Sequence, residues 1–118
     1  MLRDFRKPLV IAAPKIGLKH PRANSHISEF DIGTKFRPII ANQFGTGSIK
    51  RVIFCSGKVS LDIEARLEKA QLAHGVKVIR LEELAPFPVH HIQAALENAA
   101  SDASYLWVQE ECMNQGAF

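Results

Sequence analysis

The chain has 118 residues, 47% hydrophobic and 23% charged, enough for one domain that hides roughly two-thirds of its unfolded surface. No apolar run approaches the ~20 residues of a membrane helix, and the basic N-terminal residues are not followed by the apolar stretch of a secretory signal. Cys55 and Cys112 are too few for a disulfide framework and neither has a C-x-x-C partner, which points to a reducing, intracellular setting. The net charge of +3 hides a split: residues 1–51 carry ten Lys/Arg and three Asp/Glu, residues 52–118 five and nine. Such a split suggests that one surface meets an anion or an acidic neighbour. Nucleic acid fits poorly, because the basic residues stand singly between apolar ones without an RNA-binding or helix-turn-helix signature.

Residues 8–13 read as a buried strand, a short apolar and β-branched run closed by Pro14. From 15 to 34 no helical period survives for long, although Ser25 is placed to cap a short helix with Ser28 and Glu29 in its first turn. Residues 36–41 form a second predicted strand, and Pro38 argues for a sheet edge because proline cannot donate to the ladder. A Gly45/Gly47 loop follows. Residues 51–56 have a continuous apolar centre, as expected of a strand covered on both faces. Gly57 then turns the chain into a helix over 59–74, with Val59, Ile63, Leu67 and Ala70 on one face and Gly75 as the terminating glycine. Residues 76–81 form the next strand, and Pro88 opens a second helix whose stripe is Val89, Ile92, Leu96 and Ala99. Residues 105–109 are the last strand, with Trp107 expected to be largely buried in a central or near-central position. The second half therefore reads β-α-β-α-β, and the whole chain as a single three-layer α/β domain with five strands.

Few residues suggest chemistry. Gly45-Thr46-Gly47-Ser48 with Lys50 lacks the Gly-Lys-Ser/Thr of a phosphate loop and precedes a strand, so it reads as a surface connection. Ser56-Gly57-Lys58 lies between a strand and a helix N-terminus, where an anion can bind, but a tight turn with a solvated lysine explains it as well. His90 and His91 point about 100° apart on a helix and cannot share a metal comfortably. Glu82-Glu83 and Glu110-Glu111 are paired carboxylates at strand ends, better suited to accepting hydrogen bonds than to acid–base work. Pro86-Phe87-Pro88 reads as a rigid turn that seats Phe87 in the core. No catalytic, cofactor-binding or metal-ligating residue is assigned.

Taken together, Phe5-Arg6-Lys7-Pro8-Leu9, Pro14-Lys15, Phe54-Cys55-Ser56-Gly57-Lys58, the run Ile79-Arg80-Leu81-Glu82-Glu83-Leu84-Ala85-Pro86-Phe87-Pro88, and Trp107-Val108-Gln109-Glu110-Glu111 with Asn114-Gln115-Gly116 resemble one family. It is the C-terminal domain of the 2-oxoglutarate dehydrogenase family, thiamine-diphosphate-dependent 2-oxo acid dehydrogenases that include 2-oxoadipate-preferring paralogues. The resemblance implies a transketolase C-terminal-domain fold, with a mostly parallel five-stranded sheet and one antiparallel strand. It also implies that residues 1–118 are a piece of a much longer chain. In that chain thiamine diphosphate and magnesium are held by other domains, and the acyl group passes to lipoyl arms on the complex's acyltransferase. The expected partners are the chain's own other domains, the second subunit of a homodimer and that acyltransferase, with no nucleic acid or membrane. The compartment would be the mitochondrial matrix in a eukaryote and the cytoplasm in a bacterium.

Some bacterial members bind acyl-CoA at this domain, and the corresponding anion candidates are Lys15, Lys19, Arg37 and Lys58. Family members often carry arginine where Lys19 stands, and lysine lacks the bidentate fork. Glu110, Glu111, Asn114 and Gln115 are the expected domain or dimer contacts, although Cys112 replaces the proline usual there. The rival reading is a free-standing α/β module that binds a nucleotide, acyl-CoA or an acidic protein.

Overall fold

The computed structural model describes residues 7–8, 10–13, 15–72 and 74–118. The elements in chain order are three short 3-10 turns (Lys15–Lys19, Pro21–Ala23, Ile27–Phe30), β1 (Ile39–Phe44), β2 (Ile49–Cys55), α1 (Val59–Lys69), β3 (Val76–Leu81), α2 (Val89–Ala95) and β4 (Ala99–Trp107). The strands lie in the order β1-β3-β2-β4. β2 runs parallel to both β3 and β4, and β1 pairs antiparallel with β3 from Ile39↔Leu81 to Phe44↔Val76.

The two helices cover opposite faces. Ile49, Val52, Ile79 and Leu81 form one core cluster under Ile92, Ala95 and Leu96 of α2. Ile53, Cys55, Val76 and Val78 form the other under Val59, Ile63 and Leu67 of α1. Alternation along β3 sends successive side chains to opposite layers, so apolar residues are required at nearly every position. Ile49 and Val52 share a face because β2 bulges between them, where the Lys50 and Arg51 amides both donate to the Gly75 carbonyl.

Several expectations need correction. Among the described residues the sheet has four strands, mixed in direction, where five were expected. The missing one is the run 8–13: Pro8 and residues 10–13 pair with no strand, Val10 is 93% exposed, and Leu9 lies outside the described residues. β1 starts three residues later than predicted and takes in Asn42 and Gln43, because its partner β3 sets the register and an edge strand tolerates polar side chains. Its edge position agrees with Pro38, whose carbonyl accepts from the Glu82 and Glu83 amides (2.9 and 3.0 Å).

The first helix ends at Lys69, well before Gly75. Gln71 adopts φ 53°, while the Leu72 and Gln71 amides bond the Leu67 and Glu68 carbonyls (both 3.1 Å), a Schellman closure with glutamine in the left-handed position. Gly75 serves another purpose: its carbonyl accepts from the Lys50 and Arg51 amides, and a Cβ there would stand 3.2 Å from the Ser48 carbonyl. The cap of the 27–30 turn is His26, whose Nδ1 accepts from the Ser28 amide, in place of Ser25. α2 itself has no buried residue: Val89 is exposed, and the buried position is Pro88, just before the helix. β4, which carries Trp107, lies at the opposite edge of the sheet from β1 and not at its centre.

Candidate functional site

Parallel strands direct their carboxyl ends toward one edge of the sheet, and here three of the recognised sequence runs meet. After β2 come Ser56, Gly57 and Lys58; after β3, the run 82–88; after β4, the turn 108–116. The β2 connection leaves toward α1 and the β3 connection toward α2, so the loops splay apart and leave a crevice. That crevice is an apolar groove of about 680 Å³, walled by Phe54, Leu81, Leu84, Phe87, Ile92 and Trp107. Phe87 is 58% exposed on this wall, which corrects its expected place in the core; the buried member of Pro86-Phe87-Pro88 is Pro88.

The polar rim is organised by Gln109. Its Oε1 accepts from the Trp107 indole N–H (2.7 Å), and its Nε2 donates to the carbonyls of Glu111, Cys112 and Gln115 (3.2, 3.0 and 2.9 Å). Gly116 closes the turn at φ 78°, where a Cβ would come within 3.1 Å of Glu111 Oε2. Gln109 was not among the candidate residues. Its signal was its place two residues after a strand tryptophan, on the same side of the chain. Of the expected interface residues, Glu110 pairs with Lys58, Glu111 and Gln115 lend backbone carbonyls to Gln109, and the Asn114 side chain is exposed.

The four anion candidates do not converge. Arg37 lines a polar cleft of about 340 Å³ with Arg22, Arg80, Glu29, Asn42 and Glu64. Lys58 lines a separate depression with Arg80 and Glu82, while Lys15 and Lys19 are exposed and line neither. Arg80 borders both, and an arginine between Ile79 and Leu81 in a strand was the sequence signal for it.

The cations that line these two clefts, Arg22, Arg37, Lys58 and Arg80, already have carboxylates. Arg22 donates to Glu68 through both terminal nitrogens and stands 3.9 Å from Glu64; Arg37 pairs with Glu29 at 3.0 Å, Arg80 with Glu82 and Lys58 with Glu110. Glu64, only 7% exposed, also accepts from Asn42 Nδ2 at 2.7 Å. The hydrogen bond from Arg22 holds the Glu68 carboxyl below its usual range, and the bond to Glu110 raises the Lys58 ammonium above its own. An incoming anion must compete with these carboxylates.

The two buried side chains with nucleophilic atoms in this region are held in packing and hydrogen bonds. Burial pushes the Cys55 thiol up to about 11, so at neutral pH it is a protonated core side chain. Ser60 Oγ donates to the Gly57 carbonyl (2.9 Å) and accepts from Arg80 Nη1 (3.2 Å). Gly57 has φ 71°, the left-handed conformation that the turn into α1 requires.

A family model described as 2-oxoglutarate dehydrogenase C-terminal matches residues 24–118. The chain belongs to that family. It is 40% identical over 121 residues to a probable 2-oxoadipate dehydrogenase complex component E1 homolog of Dictyostelium discoideum, covering 100% of this chain and 13% of that protein. A Haemophilus influenzae 2-oxoglutarate dehydrogenase E1 component is 40% identical over 119 residues, covering 99% of this chain and 12% of the relative. A Caenorhabditis elegans probable 2-oxoadipate E1 homolog is 41% identical over 117 residues, with 98% and 13% covered. The chain thus spans about an eighth of these relatives' length, and within the family its place is the C-terminal domain. Among the described residues no helix is long and apolar enough to cross a membrane, and a further relative, from C. elegans, is named as mitochondrial.

Proposed function

We propose that this chain is the C-terminal part of an E1 component that oxidatively decarboxylates 2-oxoglutarate or 2-oxoadipate and hands the acyl group to lipoyl arms. The observation that carries the proposal is a match along essentially the whole chain, at about 40% identity, to proteins named as E1 components of both kinds. The similar identities to both kinds leave the two substrates equally supported. Thiamine diphosphate and magnesium belong to the other domains of the longer chain. Among the described residues no three His, Cys, Asp or Glu side chains stand together, and no catalytic step is assigned to them. The domain acts as scaffold: the 108–116 turn and the apolar groove face other domains and the second subunit of a homodimer, completing the fold around an active site built elsewhere.

The test compares two proteins. The full gene product, supplied with thiamine diphosphate, magnesium and either 2-oxo acid, should reduce ferricyanide; the 118-residue chain should give background rates. Turnover by the 118-residue chain that one substitution within it abolishes would refute the scaffold role. A full product inactive with both acids would refute the dehydrogenase reading.

A further inference from the structure

Residues 10–13 have the composition of an interior strand and the exposure of a loop. They are Val-Ile-Ala-Ala, uncharged, with two β-branched side chains, yet Val10 is 93% and Ile11 73% exposed. Beyond them Ile16 and Leu18 are also exposed. The base of this run lies beside the domain. Ala13, Gly17 and Leu18 lie over Gly57, Lys58 and Leu61 at the carboxyl edge of the sheet, and Arg22 clamps the following turn to Glu68. An apolar run anchored at its base and bare along its length calls for a cover.

The domain's own sheet does not supply one. The β1 edge begins after Pro38, and the β4 edge is distorted by the register shift around 100–103, which includes Asp102. Both are devices that discourage strand addition, from this chain or from a second copy. A stretch of four residues is also far too short to insert into a bilayer. The comparisons point elsewhere. The C-terminal family model begins only at residue 24, whereas the E1 relatives match 98–100% of the chain. Residues 1–23 therefore have counterparts in E1 proteins ahead of the stretch that the C-terminal family model matches.

We propose that residues 10–13 form a β-strand in a different sheet, one belonging to the part of the E1 chain that precedes this domain, paired along an open edge of that sheet. This rests on the reading of the chain as the C-terminal part of an E1 component. Main-chain pairing would supply the docking energy and the alternate side chains of Val10 and Ile11 the fit. The domain would then be joined to its neighbour by a shared strand and not by a loose linker.

Hydrogen exchange tests the assignment on the full gene product and on the 118-residue chain. The amides of residues 10–13 should exchange freely in the 118-residue chain and be slowed roughly a thousandfold or more in the full product. Ile11→Pro should abolish that protection and lower the Tm of the full product, Ile11→Val should leave both intact, and neither should move the Tm of the 118-residue chain. Equally fast exchange in both proteins overturns the proposal, as does protection in the 118-residue chain that grows with concentration. Fast exchange in a full product that still turns over a 2-oxo acid sinks the strand and spares the function. Protection in a full product inactive with both acids does the reverse.

Discussion

Gln109→Leu isolates what the polar rim contributes. The wild-type amide accepts one bond from Trp107 and offers two protons to three carbonyls, so at most three full hydrogen bonds are lost. At about 0.5–1.5 kcal/mol net for each, the ceiling is roughly 4 kcal/mol. The turn's backbone is largely open to solvent and water can replace the amide there, which brings the expected loss to about 1–2 kcal/mol. For a domain of this size that is a fall of roughly 4–12 °C in Tm. Trp107 is the single tryptophan, so its emission reports on this turn alone. In Gln109→Leu the indole N–H must turn to water and the spectrum should shift to the red. Gln109→Glu keeps an acceptor for the indole while losing the donors, and should destabilise the fold with a smaller spectral change. If Gln109→Leu unfolds at the wild-type temperature with an unchanged spectrum, the glutamine does not organise the turn.

Ile79→Ala, at a fully buried position of β3, should cost about 2–5 kcal/mol in denaturant unfolding, whereas Ile32→Ala, wholly exposed, should be nearly silent. The lowered Glu68 carboxyl predicts an acid limb in stability: the Arg22 contact contributes above the ordinary carboxylate range and is lost as pH falls through the depressed folded value. Glu68→Gln should flatten that limb, and added salt should shrink it because the pair is at the surface. A thiol reagent at neutral pH should label Cys112 in the native chain, and Cys55 only after unfolding; rapid native labelling of both would contradict the packing of β2.

The parts of the fold legible in the sequence were those with strong local patterns. β2 and β3 announced themselves by apolar runs, and the buried face of α1 by the spacing of Val59, Ile63 and Leu67. What was misread depended on partners distant in sequence. Asn42 and Gln43 look like loop residues until β3 lies beside them, and no local rule tells Gln71 from Gly75 as the helix-ending residue. Trp107 was assigned to a central strand because hydropathy reports burial but not strand order. The run 8–13 has a strand's composition, which carries no information about which sheet receives it. At the candidate site, the motifs at the strand ends were visible from composition. The pairing of every candidate cation but Lys15 and Lys19 with a carboxylate was not, because those contacts join residues up to 52 positions apart.

The clamp of Arg22 on α1 bears on how this domain can be cut from its surroundings. A boundary drawn at residue 24, where the family model starts, removes the guanidinium that binds Glu68 and stands 3.9 Å from Glu64, and leaves Glu64 with Asn42 as its bonded neighbour. The trimmed piece would carry two α1 carboxylates, Glu64 and Glu68, without the counter-charge that faces them. The mechanical edge of the unit therefore lies upstream of its evolutionary edge, and a transplantable version begins no later than Pro21.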